Sequence, residues 1–181
     1  MNGEILGLLH DLESVDGNVR KPAFDRLLVI TDERVDWFED VFEALKTKLY
    51  SKNPFQRSIG VMLLSNLAKS DVSGRLALCA DRCLELLEDE KFMTARLTAQ
   101  AIWKIAVAQP PLRAKVVDAL MLALGNSNAS PHPNLIRQDI VLSLVRVYSS
   151  APKGVDMNGL KSWITSVSGE PETARLLKLL P

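Results

Sequence analysis

The sequence predicts an all-α protein in which about five helical pairs follow one another along the chain. Apolar residues recur at intervals of three or four, which is the spacing of one face of a helix. One such run consists of Val35, Phe38, Val41, Phe42, Leu45 and Leu49. No segment shows the alternation of apolar and polar residues that marks a half-buried strand. An arginine recurs about every 39 residues in every second predicted helix, which indicates an internal repeat.

Short breaks with helix-start residues separate predicted helices of about 12 to 18 residues. These breaks are Asp16-Gly17-Asn18, Ser51-Lys52-Asn53-Pro54, Ser130-Pro131-His132-Pro133 and Gly169-Glu170-Pro171. Proline suits the first turn of a helix, since its missing N–H would find no partner within the helix there. The predicted units are residues 2–33, 34–70, 71–109, 110–151 and 152–181, which together form one domain over residues 1–181.

The recurring arginines align the predicted units with one another. They are Arg20, Arg57, Arg96, Arg137 and Arg175, at intervals of 37, 39, 41 and 38 residues. Seven residues after the arginine, the first four units carry Leu27, Leu64, Trp103 and Leu144. Ten residues after it they carry Ile30, Leu67, Ala106 and Val147. These companion positions predict core side chains, so Trp103 is expected to be a core residue.

The pattern resembles the HEAT-repeat (armadillo-like) family of helical solenoids, whose second helix in each pair carries a Val-Arg pair near its start. Val19-Arg20 matches that pair, the Ile-Arg pair at Arg137 and the Ala-Arg pairs at Arg96 and Arg175 match it loosely, and Gln56-Arg57 departs from it. The resemblance covers essentially the whole chain. It implies a right-handed α-α superhelix of about five HEAT-like helical pairs, but it says little about what the surface binds.

Helical geometry predicts a structural role for the arginines, as a ladder along the stack. At about 100° per residue, the positions −1, +3, +7 and +10 relative to the arginine fall within an arc of roughly 80° and form the apolar face. The arginine lies about 65° from the centre of this arc, so its stem is expected to pack while its guanidinium reaches a neighbouring loop or helix end. Asp16, Asp89 and Glu90 are the expected acceptors. The alternative is that the arginines belong to a ligand site.

The opposite side of the same helices predicts a binding surface. Positions +5, +8, +9 and +12 point away from the core arc, toward the inner, concave face of the predicted superhelix. The predicted partner-binding residues there are Met62, Ser65, Asn66, Lys69, Ala101, Lys104, Leu142 and Arg146. An apolar ridge with a polar and mostly basic rim suits a protein or peptide with apolar anchors and acidic flanks. The alternative is that adjacent repeats cover these side chains.

The chain is electrically asymmetric although its 181 residues carry no formal net charge. Residues 1–90 hold 17 acidic and 11 basic residues, a formal charge of −6, whereas residues 91–181 hold 5 and 11, a formal charge of +6. Three explanations stay open: an acidic partner for the basic half, head-to-tail self-association, or unevenly distributed solvated charges.

The sequence offers little catalytic chemistry, so we expect neither an enzyme nor a bound cofactor or metal. The two histidines, His10 and His132, are far apart in sequence, whereas a zinc site needs about four clustered ligands. Cys79 and Cys83 share a helix face with leucines and are predicted to be small core residues. No phosphate-binding glycine loop or nucleophile elbow occurs. Without a long apolar run or a signal-peptide pattern, the sequence predicts a cytoplasmic protein with no membrane contact.

Two functional classes remain. The favoured one is a non-catalytic interaction or scaffolding module that holds a protein or peptide on its concave face. The alternative comes from the resemblance, because some HEAT-like proteins are alkylpurine DNA glycosylases. Such an enzyme needs a basic groove for phosphates, and the acidic N-terminal half makes nucleic acid the less favoured partner. The nearest grouping of aromatic and carboxylate side chains lies at residues 36–40, in an acidic segment.

Overall fold

All the regular secondary structure is helical in the residues that the computed structural model describes, 1–167 and 169–181. The α-helices are α1 (Gly3–Asp11), α2 (Gly17–Ile30), α3 (Phe38–Lys48), α4 (Pro54–Leu67), α5 (Ala80–Glu85), α6 (Phe92–Ala101), α7 (Trp103–Ala108), α8 (Arg113–Gly125), α9 (Pro133–Ser150), α10 (Met157–Val167) and α11 (Glu170–Leu177). Ile102 keeps a right-handed helical backbone, so α6 and α7 form one interrupted segment. No strand occurs in the described residues, which confirms the predicted all-α class.

Several helices begin at residues whose chemistry predicts a helix start. The Asp16 side chain accepts a hydrogen bond from the Asn18 amide at 2.8 Å and caps α2. The Asn53 side chain accepts one from the Phe55 amide at 3.0 Å and caps α4. Prolines occupy the first position of α4 and of α9. The expected helix starts are confirmed at these positions, and α2 continues past Pro22, which lies inside it.

The helices differ in length more than the sequence predicts. α5 has only six residues and passes directly into a 3₁₀ turn at Leu86–Glu88, and α1 and α11 have nine and eight residues. The longest helix, α9, has 18 residues. Within residues 1–167 and 169–181, no helix is long and apolar enough to cross a membrane.

Consecutive helices pack in pairs, and the helices that carry the recurring arginines also pack side by side. α1 contacts α2, α3 contacts α4, α8 contacts both α7 and α9, and α10 contacts α11, while the turn at Leu86–Glu88 joins α5 to α6. α2 also contacts α4, α4 contacts α6 and α7, these contact α9, and α9 contacts α11. We call α2, α4, α6, α9 and α11 the arginine helices.

Buried apolar side chains from successive helices form a single cluster. The predicted core positions seven residues after the arginine are buried at Leu27, Leu64 and Leu144. Trp103 packs against this core but is only half-buried, so its predicted packing is confirmed and its full burial is not. The Ile105 amide donates a hydrogen bond to the Ile102 carbonyl, three residues back, which tightens the helix next to Trp103. Ile102, which is fully buried, fills the core beside it.

Candidate functional site: the central cleft

A cleft of about 760 Å³ opens where four neighbouring helical segments meet. Its lining residues come from α2 and the turn after it, from α4, from α6 and α7, and from α9. They are Leu28, Val29, Asp32, Met62, Asn66, Gln100, Ala101, Trp103, Lys104, Asp139, Leu142 and Arg146. We call this feature the central cleft.

Most of the predicted partner-binding residues line the central cleft. They are Met62, Asn66, Ala101, Lys104, Leu142 and Arg146. Met62 and Leu142 are half-buried and offer apolar surface, whereas Asn66 and Ala101 are buried and contribute little exposed area. Arg146 is exposed. The cleft thus combines apolar side chains with cations at its edge.

Ser65 was predicted to face a partner, and that prediction is wrong because Ser65 is fully buried. α4 packs between α2 and α6, so the flank of α4 that carries Ser65 is covered by its neighbours. The Ser65 hydroxyl has no hydrogen-bond partner within the described part of the chain. Ser65 therefore contributes to the packing of α4 and offers no surface for contact.

Lys69 lies in the 3₁₀ turn after α4, just outside the central cleft. Its ammonium donates a hydrogen bond to the Asp32 carbonyl and lies 4.0 Å from the Asp32 carboxylate. The same carboxylate lies 3.7 Å from the ammonium of Lys104. Two lysines from neighbouring units therefore share one carboxylate at the rim of the cleft.

Lys104 is held in the cleft by Asn66. Its Nζ donates a hydrogen bond to the Asn66 Oδ1, and the Asn66 Nδ2 donates to the Leu28 carbonyl at 3.1 Å. Burial lowers the pKa of the Lys104 ammonium below its ordinary value. The Asp32 carboxylate opposes this shift in pKa, whereas the positive charges of Lys69 and Arg146 add to it.

Trp103 forms a wall of the cleft against which two cations lie. The Arg146 guanidinium carbon lies 5.1 Å from the ring centroid, and the Lys104 Nζ lies 5.8 Å from it. The indole N–H donates to the Gln100 carbonyl at 3.0 Å, which fixes the ring. The repeat register gave no signal for this role, because it assumes an uninterrupted helix through Ile102.

Asp139 lines the cleft but its charge is already compensated. Arg96 donates from Nε to Asp139 Oδ2 at 2.6 Å and from Nη2 to Oδ1 at 3.4 Å, and Gln100 donates to Oδ1 at 3.0 Å. The hydrogen bond to Asp139 raises the pKa of Arg96, with burial opposing it. Asp139 is only 7% exposed. A carboxylate held in this way is poorly suited to act as a general base.

Arg57 joins two successive units of the chain. Its Nε and Nη2 each donate to one oxygen of the Asp89 carboxylate at 2.7 Å, and its Nη1 donates to the Ser51 carbonyl at 2.9 Å. The hydrogen bond to Asp89 raises the pKa of Arg57, with burial opposing it. Asp89 was an expected acceptor, and Glu90, the second one, lies 3.8 Å away.

The remaining recurring arginines differ in their contacts. Arg137 is buried and donates to the Ser127 hydroxyl at 2.8 Å and to the Glu172 carboxylate at 2.9 Å. Arg20 donates to the carbonyls of residues 14 and 15, while the third expected acceptor, Asp16, caps α2 instead. Arg175 is exposed and lies 4.0 Å from Glu172. Within the described residues, none of the five arginines lines the central cleft.

The histidines and cysteines are not gathered into a site. The His132 ring contacts the Phe92 ring in a tilted arrangement with centroids 4.9 Å apart, and His10 is exposed beside Asp11. Cys79 and Cys83 are free thiols, and their predicted burial is confirmed. In residues 1–167 and 169–181, no group of three or more His, Cys, Asp or Glu side chains is placed to hold a metal ion.

Comparison with known proteins gives no assignment for the chain. No protein-family model matches it, and no curated protein is significantly similar to it. Function therefore has to be inferred from the cleft itself.

Proposed function

We propose that this protein is a non-catalytic interaction or scaffolding module that binds a protein or peptide in the central cleft. The scaffold we propose is a right-handed superhelix of about five HEAT-like helical pairs, with the cleft on its concave face. The observation that carries the proposal is the composition of the cleft. Half-buried apolar side chains from α4 and α9 lie in it beside Lys104 and Arg146.

This composition suits the contact surface of another polypeptide. Protein interfaces combine an apolar centre with a polar, solvent-accessible rim, and aromatic residues and arginine are enriched in them. Met62 and Leu142 supply apolar surface, Val29 is exposed at the edge, and Trp103 and Arg146 are of the types that often dominate binding energy. The side-by-side packing of the arginine helices keeps these groups in fixed relative positions, which lowers the entropy cost of binding.

A DNA glycosylase of the HEAT-like type is the weaker proposal. The Asp32 side chain is 70% exposed at the rim of the cleft, where it would repel a phosphate backbone. Asp139 is engaged by Arg96 and Gln100, so it is not free to assist base removal. Binding of duplex DNA at moderate salt would favour this alternative, and we expect none.

The test of the proposed site is a charge-introducing double variant. A pull-down from lysate of the source cells identifies a partner of the wild type, and its affinity is then measured for Met62→Asp/Leu142→Asp. We expect binding to be abolished while the circular-dichroism spectrum and melting curve are retained. Leu78→Asp is the matched control, since Leu78 is exposed and lies outside the central cleft. Undiminished binding by the double variant, or loss of its fold, would rule out this site.

A further inference from the structure

We infer that the partner places an aspartate or glutamate carboxylate between Lys104 and Arg146, against Trp103, with a neighbouring apolar side chain on Met62 and Leu142. This inference rests on the proposed function, because it names the chemistry of what the central cleft binds.

The cations in and beside the cleft have too few carboxylates near them. Lys69 and Lys104 share Asp32, and the other carboxylate in the lining, Asp139, is paired with Arg96. Arg146 pairs with no carboxylate in the described residues. Its guanidinium lies over the face of the Trp103 ring. Lys69 and Lys104 thus share one exposed carboxylate, and Arg146 has none in the described part of the chain. An added anion would relieve their mutual repulsion.

The two cations are also positioned in advance. Arg146 and Lys104 lie 5.1 and 5.8 Å from the centroid of the same indole ring, and both line the central cleft. They are also close enough for the charge of Arg146 to help lower the pKa of Lys104. We therefore place one carboxylate between them. Lys104 is further restrained by its hydrogen bond to Asn66, and the indole by its bond to the Gln100 carbonyl. Groups held in place before binding lose less conformational entropy when the ligand arrives.

The surroundings favour a peptide carboxylate over a chain of phosphates. Met62 and Leu142 line the same cleft, so an apolar side chain next to the acidic one would be buried at the same time. The exposed Asp32 carboxylate lies close to Lys104. It would repel a series of phosphates much more strongly than it would repel a single carboxylate. An acidic peptide with adjoining leucine or phenylalanine satisfies both conditions.

The experiment uses an immobilised library of short acetylated, amidated peptides built from Leu, Phe, Glu, Gln, Lys and Ser. We expect the wild type to select peptides in which Glu adjoins Leu or Phe. Changing that Glu to Gln in the peptide, or making Arg146→Gln in the protein, should each weaken binding about fivefold, as for a partly exposed ion pair. The two changes together should weaken binding by less than the product of the two single effects, because Lys104 still contacts the carboxylate in Arg146→Gln. Arg175→Gln is the control, because Arg175 is exposed and outside the cleft.

The outcomes separate this inference from the proposed function. Selected peptides that lose binding to Met62→Asp but show no preference for Glu would overturn the carboxylate assignment and leave the cleft as a peptide site. A Glu-to-Gln change that weakens binding equally for wild type and Arg146→Gln would also overturn it. No selection by the wild type, or selection indifferent to Met62→Asp, would overturn both. If duplex DNA binds the wild type but not Arg146→Gln, the position between Lys104 and Arg146 would be assigned to a phosphate and not to a carboxylate.

Discussion

Arg57 illustrates how a single side chain can join two helical pairs. Its guanidinium engages both oxygens of Asp89 and also a carbonyl of the preceding loop, and the two side chains are 7% and 4% exposed. A bidentate pair of this kind fixes geometry as well as energy. If one partner is removed, a buried charge loses its compensation, which costs more than the intact pair contributes.

We therefore expect Arg57→Ala to lower the free energy of unfolding by about 3 kcal/mol. Arg175→Ala is the matched control at an exposed position of the same register, and it should cost about 0.5 kcal/mol or less. Urea unfolding followed by circular dichroism measures both. If the two variants lost similar unfolding free energies, the contact of Arg57 with Asp89 would stabilise the protein no more than an exposed arginine does.

Asp89 should also make stability depend on pH. Burial by itself would raise the pKa of Asp89, but hydrogen bonds from the Arg57 guanidinium and the Lys91 amide outweigh it and lower the pKa below its ordinary value. A carboxyl with a depressed folded-state pKa stabilises the protein above its unfolded pKa, and this stability is lost as pH falls through the folded pKa. The wild type should thus lose stability below about pH 4.

Asp89→Asn cannot titrate, so it should be less stable near neutral pH and lose less stability on acidification. Urea unfolding at a series of pH values gives the comparison. Parallel stability profiles for wild type and variant would contradict the assigned role of Asp89.

Single residues also mark the limit of what the sequence could predict. The register located half of the cleft lining and the acceptor Asp89, because regular helices repeat their faces. It missed that the neighbours of α4 cover Ser65 and that Trp103, next to the interruption at Ile102, is only half-buried. The pairing of Asp139 with Arg96 spans 43 residues and has no local signature.

At the scale of elements, Gly60 permits the close approach of α4 to α3. A Cβ added there would lie 3.0 Å from the Lys48 Cβ and 3.1 Å from the Leu45 carbonyl oxygen. These neighbours include backbone, which cannot swing aside. Glycine is otherwise unfavourable inside a helix, so its presence in α4 is explained by packing.

Two glycine-to-alanine changes test this explanation. Gly60→Ala should lower the free energy of unfolding by about 1 to 2 kcal/mol through overpacking, despite the better helix propensity of alanine. Gly7→Ala in α1, where a Cβ would meet nothing within 4 Å, should raise it by about 0.5 to 1 kcal/mol. Thermal or urea unfolding distinguishes the signs. Stabilisation by both substitutions would show that α3 and α4 have room to adjust.

Helix starts were more predictable than helix lengths for a physical reason. Caps such as Asp16 and Asn53 act through hydrogen bonds to amides two residues away, so the local sequence encodes them. The 3₁₀ turn at Leu86–Glu88, which continues the short α5, lies against α6 and α8. Such adjustments are set by tertiary packing, which a periodic pattern does not contain.

For the whole molecule, the central cleft and the charge asymmetry lead to one expectation about binding. The basic half, residues 91–181, supplies Lys104 and Arg146 to the cleft. The affinity for an acidic partner should therefore fall as salt is added, because ions screen partly exposed charges. Leu142→Ala should weaken binding by a similar factor at low and high salt, since its contribution is apolar. Titration calorimetry at several salt concentrations measures this, and an affinity independent of salt would argue against cationic recognition.

The most direct test of the central claim is methyl NMR of the protein titrated with its captured partner. A partner in the central cleft should shift the methyl signals of Met62, Leu142, Leu28 and Val29, which line it. The signals of Leu78 and Leu122, which are exposed outside the cleft, should stay unchanged. Shifts confined to Leu78 and Leu122, with the cleft methyls unmoved, would contradict the account that this protein binds its partner in the central cleft.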